Sequence, residues 1–193
     1  MGPGPALTLP ARRRHDRRAS WAWAAAASIT AILALYAGPN SPTLTSVIAG
    51  AGLATLATTD ATTQRLPATA VKALAGLTAV TVFGAAWWHD EWAPPLRALV
   101  GAALVAVLLV LLWLSLPGAI AFGDVKVTVI AFAAAAAISW RAGVVTIIVA
   151  CVIGGVAAVI ARRTRRHLAP VQPTIPFVPG LALGFVVGVM VPW

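Results

Sequence analysis

The sequence predicts an all-α protein, a polytopic integral membrane helical bundle of about seven transmembrane helices. Three observations predict it. Charged residues make up only 10% of the chain, against the roughly one quarter that a soluble domain carries. Hydrophobic residues make up 60% and the mean hydropathy is +0.91, so a polar surface cannot be built and the solvent must be largely lipid. Apolar stretches recur near the ~20 residues that cross a hydrocarbon core, and short pieces rich in proline and glycine separate them. A stretch surrounded by lipid must satisfy its own backbone hydrogen bonds, which makes each one a helix.

Residues 1–19 hold the RRRHDRR run and read as a basic cytoplasmic tail; residues 20–193 form the membrane-embedded part. The tail does not read as a cleavable signal peptide, because no convincing small-residue cleavage site follows it. The expected spans are Trp21 to Ala37, Thr43 to Thr59, Ala68 to Trp88, Pro95 to Leu116, Val125 to Trp140, Ala142 to Ala161 and Ile175 to Val191. The connections are GPNSP, DATTQRLP, HDEWAPP, PGAIAFGD, a tight turn at Trp140-Arg141, and RRTRRHLAPVQPT. The fifth span is short. Its length is about 24 Å of helix against a ~30 Å core, so either the helix begins nearer Pro117 or the bilayer thins there.

Loop charges set the orientation. With the N-terminus in the cytoplasm, that side receives Arg12, Arg13, Arg14, Arg17, Arg18, Arg65, Lys72, Lys126, Arg162, Arg163, Arg165 and Arg166. The outside receives Arg97 and Arg141, which completes the 14 basic residues. The positive-inside rule selects this arrangement in the plasma (inner) membrane. Trp87, Trp88 and Trp92 then form an interfacial belt on the outer side, with His89 in solvent. The net charge of +9 does not point to nucleic acid, because it lies in runs that flank apolar spans and no binding module accompanies it. Cys151 sits in an apolar run as a small filling residue, and a lone cysteine excludes an intrachain disulfide.

Of the five acidic residues, Asp60 and Asp124 stand where apolar spans meet short polar segments, both on the cytoplasmic side. Ionisable groups at a bilayer are costly and mark functional sites by default. Two such carboxylates can share a proton and activate a water. Each also has a plain structural reading: Asp124 as a helix N-cap, Asp60 as a solvated residue at a helix end. If Asp60 closes one helix and Asp124 opens another, the helix dipoles act on them oppositely. Asp60 becomes the acid and Asp124 the base. Gly123 is either a loop glycine or a place where a substrate backbone comes close. Lys126, two positions from Asp124, does not share its helix face; it either snorkels to headgroups or supports the pair electrostatically. His15, His89 and His167 lie in separate loops, which leaves no metal-ligand cluster and no serine triad.

Three motifs carry a resemblance. Asp60 is followed seven positions later by Pro67. Phe122-Gly123-Asp124-Val125-Lys126 is similar to a GxGD motif followed by a hydrophobic residue and lysine. Ile175-Pro176-Phe177-Val178-Pro179-Gly180-Leu181-Ala182-Leu183-Gly184 is similar to a proline–phenylalanine segment ending in LALG. In this order they resemble the type IV prepilin peptidases, from about Thr43 to the C-terminus. The chain departs from the family pattern at Ala121, where GxGD has its first glycine, at Val127 and at Ala68.

The resemblance implies a membrane aspartyl endopeptidase. Such enzymes remove the basic leader from prepilins or pilin-like single-span precursors at the cytoplasmic membrane face. Asp60 and Asp124 would be catalytic, with Gly123 and Lys126 in support. It implies no cofactor. The paired cysteines of longer members are missing, so a peptidase-only form without S-adenosylmethionine or zinc is expected. A reading from another class keeps the same two aspartates as a proton or cation site in a non-catalytic scaffold or small transporter. The midplane position of transporter sites speaks against it.

Overall fold

The computed structural model of the protein describes residues 41–63, 66–116, 120–164 and 177–190. Six helices occupy them: α1 Ser41–Thr63, α2 Ala68–His89, α3 Ala93–Ser115, α4 Phe122–Ile138, α5 Trp140–Thr164 and α6 Val178–Met190. No strand occurs among the described residues. The expected tail 1–19 and the expected span Trp21 to Ala37 lie outside them. Among the described residues, three helices are long and apolar enough to cross a membrane: α2, α3 and the Trp140–Ile160 part of α5.

The boundaries follow local chemistry. Helix α2 ends at Asp90, which takes a left-handed conformation (φ 51°). The Asp90 and Glu91 N–H groups then close back on the Ala86 carbonyl, which satisfies acceptors left open at a helix end. Helix α3 begins at Ala93, so Pro94 and Pro95 fall in its first turn, where N–H groups have no intrahelical acceptor.

Three expectations are corrected. Helix α1 does not stop at Thr59 but runs through Asp60 to Thr63. Thr55, Thr58 and Thr59 bond back onto carbonyls of the preceding turn instead of breaking the helix. Helix α4 begins at Phe122, and Ala121 rather than Asp124 is its N-cap. The turn after α4 is not at Trp140-Arg141. A single extended residue, Ser139, separates α4 from α5, and its Oγ accepts the Ala142 N–H at 3.0 Å, which caps α5.

Helix α4 is the hub, packing against α1, α2, α3, α5 and α6. It can touch so many neighbours because its buried face is small: Ala131, Ala134, Ala135 and Ala136 are fully enclosed. Its one large buried ring, Phe132, fits where α3 and α5 carry glycine; a Cβ on Gly101 would lie 2.7 Å from the Phe132 ring, and one on Gly143 3.0 Å. Arg97 of α3 donates to the carbonyls of Ala136, Ala137 and Ile138 at 3.3, 2.9 and 3.3 Å. A cation there satisfies the last carbonyls of α4 and complements its dipole.

Helix α6 is held by close backbone approach. Gly184 and Gly188 face α5, where a Cβ on Gly188 would meet the Ala142 carbonyl oxygen at 2.6 Å and Thr146 Oγ1 at 2.7 Å. A Cβ on Gly184 would strike the Thr146 carbonyl oxygen outright. Without a hydrophobic force between helices in lipid, such close contact is what holds two helices together. On its other side α6 inserts Phe185 and Leu181 into the core with Leu53 and Leu56 of α1.

Candidate active site

Asp60 sits in the last turn of α1 and Asp124 in the first turn of α4, and α1, α4 and α6 pack on one another. The 64 positions between the two aspartates are closed by this packing. Their carboxyl groups lie within electrostatic reach, and the charge of Asp60 acts on Asp124. Asp60 is buried, with 7% of its surface exposed, and Asp124 is half-buried.

The local fold explains how the two motifs meet. Gly123 lies against Leu66, the residue before Pro67. A Cβ at 123 would stand 3.3 Å from Leu66 Cδ1, within tight contact. The glycine therefore lets the segment that follows Asp60 close over the start of α4. Asp124 is tied to its own helix: its N–H donates to the Ala121 carbonyl at 3.0 Å, and its carbonyl accepts the Thr128 hydroxyl at 2.7 Å. This leaves the Asp124 carboxyl group uncommitted to the backbone of α4.

Lys126 is not part of the cluster. It is exposed, and its Nζ stands over the Phe122 ring, 4.6 Å from the centroid, one turn back on α4. Phe122 in turn meets Trp113 at the end of α3, with centroids 5.6 Å apart. The lysine and two rings thus form a cation–π rim beside the carboxylates rather than a partner for them.

The helix ends keep the expected opposition of dipoles, with Asp60 in the last turn of α1 and Asp124 in the first turn of α4, and the structure adds an asymmetry of the other sign. The Val178 N–H, at the first residue of α6, donates to Asp60 Oδ2 at 3.3 Å. Among the described residues no hydrogen bond reaches the Asp124 carboxyl group. The donor comes from the PFVPG segment, a motif to which sequence reasoning attached no role. Two signals could have exposed it: the proline-bounded helix start, and the Gly180, Gly184, Gly188 spacing that marks a tightly packed helix.

No group of three or more His, Cys, Asp or Glu able to hold a metal occurs among the described residues. A cavity of about 180 Å³ lies at the other end of α4, bounded by Thr45, Glu91, Arg97 and Ile138. Thr45 is about 22 Å along α1 from Asp60, so this cavity is separate from the carboxylate pair.

Neither curated proteins nor solved structures show a match to the chain. A family profile does match, over residues 47–159. That span takes in Asp60, Gly123, Asp124 and Lys126, and ends before α6. With more than half of its length matched in this way, the chain belongs to the type IV leader peptidase family.

Proposed function

We propose that this protein is an aspartyl endopeptidase that removes the leader peptide from type IV prepilins or pilin-like precursors at the cytoplasmic face of the plasma membrane. One observation carries the reading: the two aspartates covered by the family match, distant in sequence, interact across the packed ends of α1 and α4. A pair of carboxylates in that position is suited to hydrolysis. One, ionised, takes a proton from water as the water oxygen attacks the peptide carbonyl carbon. The other, protonated, gives its proton to the carbonyl oxygen. When the resulting gem-diol collapses, the C–N bond breaks. The amine leaves with the proton taken from water, and a diol proton restores the acid.

The chemistry needs no metal or cofactor. The substrate is a single-span precursor whose apolar helix lies beside the enzyme, with its scissile bond at the headgroup level. The basic runs orient the protein with the N-terminal tail in the cytoplasm, which puts Asp60 and Asp124 on the side where the basic leader of a precursor resides.

The test is leader removal by the purified full-length protein in detergent or liposomes, with a prepilin from the same cell. Asp60→Asn and Asp124→Asn should each lower kcat by about 10²–10⁴-fold. Full cleavage by either single variant would sink the dyad. An intact precursor with the unaltered protein, together with proton or cation flux lost in both variants, would favour a transport role.

A further inference from the structure

We propose that the backbone N–H of Val178 is a positioning group that holds Asp60 as the charged member of the pair, which makes Asp60 the base and Asp124 the acid. This rests on the peptidase reading above and reverses the division of roles expected from helix ends.

The first N–H groups of any helix lack an intrahelical acceptor. In α6 the ladder begins with the Leu181 N–H donating to the Phe177 carbonyl at 3.2 Å, so the Val178 N–H is left over. Val178 is fully buried and water cannot serve it. Asp60 Oδ2 accepts it instead. The contact meets two needs at once. It satisfies a buried donor, and it supplies an enclosed carboxylate with an N–H at the positive end of a helix. Asp124 has no such donor among the described residues and faces the charge of Asp60. Two like charges in one site do not both ionise readily; burial and the end of α1 press the proton toward Asp60, and the Val178 N–H is the contact that opposes them and leaves it on Asp124.

Among the described residues, other titratable groups do not disturb this. On the helices packed against α1 they are Lys72 and His89 of α2, Asp124 and Lys126 of α4, and none on α6. Lys72 and Lys126 are exposed, and His89 is at the far end of α2. The placement of the donor depends on α6 as a rigid unit, held against α5 at Gly184 and Gly188 and against α1 at Phe185. The helix lies beyond the family match, so the pair borrows its asymmetry from outside the matched region.

Substitution Val178→Pro tests the proposal, because proline is accepted at the first position of a helix and removes the N–H while keeping a small apolar side chain there. The preceding Phe177 is already outside the helix, as proline requires of its neighbour. The expected result is a fall in kcat of about ten- to a hundredfold with KM little changed, since the lost bond is to a charged group. The acid limb of the pH–rate profile should also move to higher pH, because an unsupported Asp60 ionises later. Leu181→Ala, which removes a buried α6 side chain and keeps every N–H, should lower thermal stability and leave that limb in place.

A second measurement does not depend on the proline variant folding. In an infrared pH titration, the protonated band of the one carboxyl that remains should persist to higher pH in Asp60→Asn, where it belongs to Asp124, than in Asp124→Asn, where it belongs to Asp60. The opposite pattern, or a Val178→Pro enzyme with unchanged kcat and pH profile, overturns the role of Val178. Inactive Asp60→Asn and Asp124→Asn enzymes would in that case leave the peptidase reading standing. If those two variants cleave normally, the peptidase reading itself fails.

Discussion

Helices α3 and α4 pack on each other, and both are apolar along nearly their whole length, yet they meet opposite fates. In α3 the leucines at 99, 104, 108, 111 and 114 are all exposed. In α4 the alanines at 131, 134, 135 and 136 have no exposed surface. Hydrophobicity does not separate the two, since lipid tails are as apolar as leucine. Size does. Small side chains let five neighbours approach α4, and close packing rather than exclusion from water holds a helix in the centre of a membrane bundle. The hub carries Asp124, and the helix with the bulkier surface carries no acidic residue. A carboxylate on the exposed face of α3 would sit in hydrocarbon, whereas on α4 it stands at a packed helix end beside a second carboxylate.

Three substitutions bear on this contrast. The largest effect is expected from Ala135→Leu, which forces a leucine into the enclosed face of α4. Overpacking of this kind destabilises by about 3 kcal/mol, measurable as unfolding in mixed micelles, and leader removal should fall with it. Unchanged stability would mean that α4 is not the packed hub. Next comes Arg97→Met, which keeps the length of the side chain but leaves the last carbonyls of α4 without their cation. A loss of about 2 kcal/mol is expected in the same assay, because hydrogen bonds from a charged donor are the stronger kind. A smaller loss than that of an exposed leucine would show that Arg97 does not tie α3 to α4. The smallest effect belongs to Leu108→Ala on the exposed face of α3, within about 0.5 kcal/mol. A large loss there would indicate that a protein surface, and not lipid, covers α3.

Much of the scaffold was legible in the residues. The spans of α2 and α3 are recovered to within one or two positions, because charged and proline-rich pieces break the apolar pattern sharply at His89-Asp90 and at Pro94-Pro95. The break between α4 and α5 comes earlier than the expected turn at Trp140-Arg141: α4 ends and α5 begins two residues before the expected bounds Trp140 and Ala142. It follows the alanines at 133–137 and Ile138, where no proline, glycine or charge announces it and the serine hydroxyl acts only once it caps α5. The ends near the aspartates were set too short for a similar reason. The threonines of α1 look like loop residues in sequence, but they can bond to their own helix and let it continue through Asp60.

By itself, the sequence determined that this chain lives in lipid, that it is helical, and that Asp60 and Asp124 are the carboxylates to watch. Those conclusions need only composition, period and the cost of a charge in hydrocarbon, all of which are local. Tertiary structure alone decided that the two carboxylates interact, that Lys126 turns away to the Phe122 ring, and that Asp60 takes a donor from Val178, 118 positions away. These depend on how closely the glycine and alanine faces of α4, α5 and α6 allow backbones to approach. Such an approach is a property of facing pairs of helices, and no single segment of the chain encodes it.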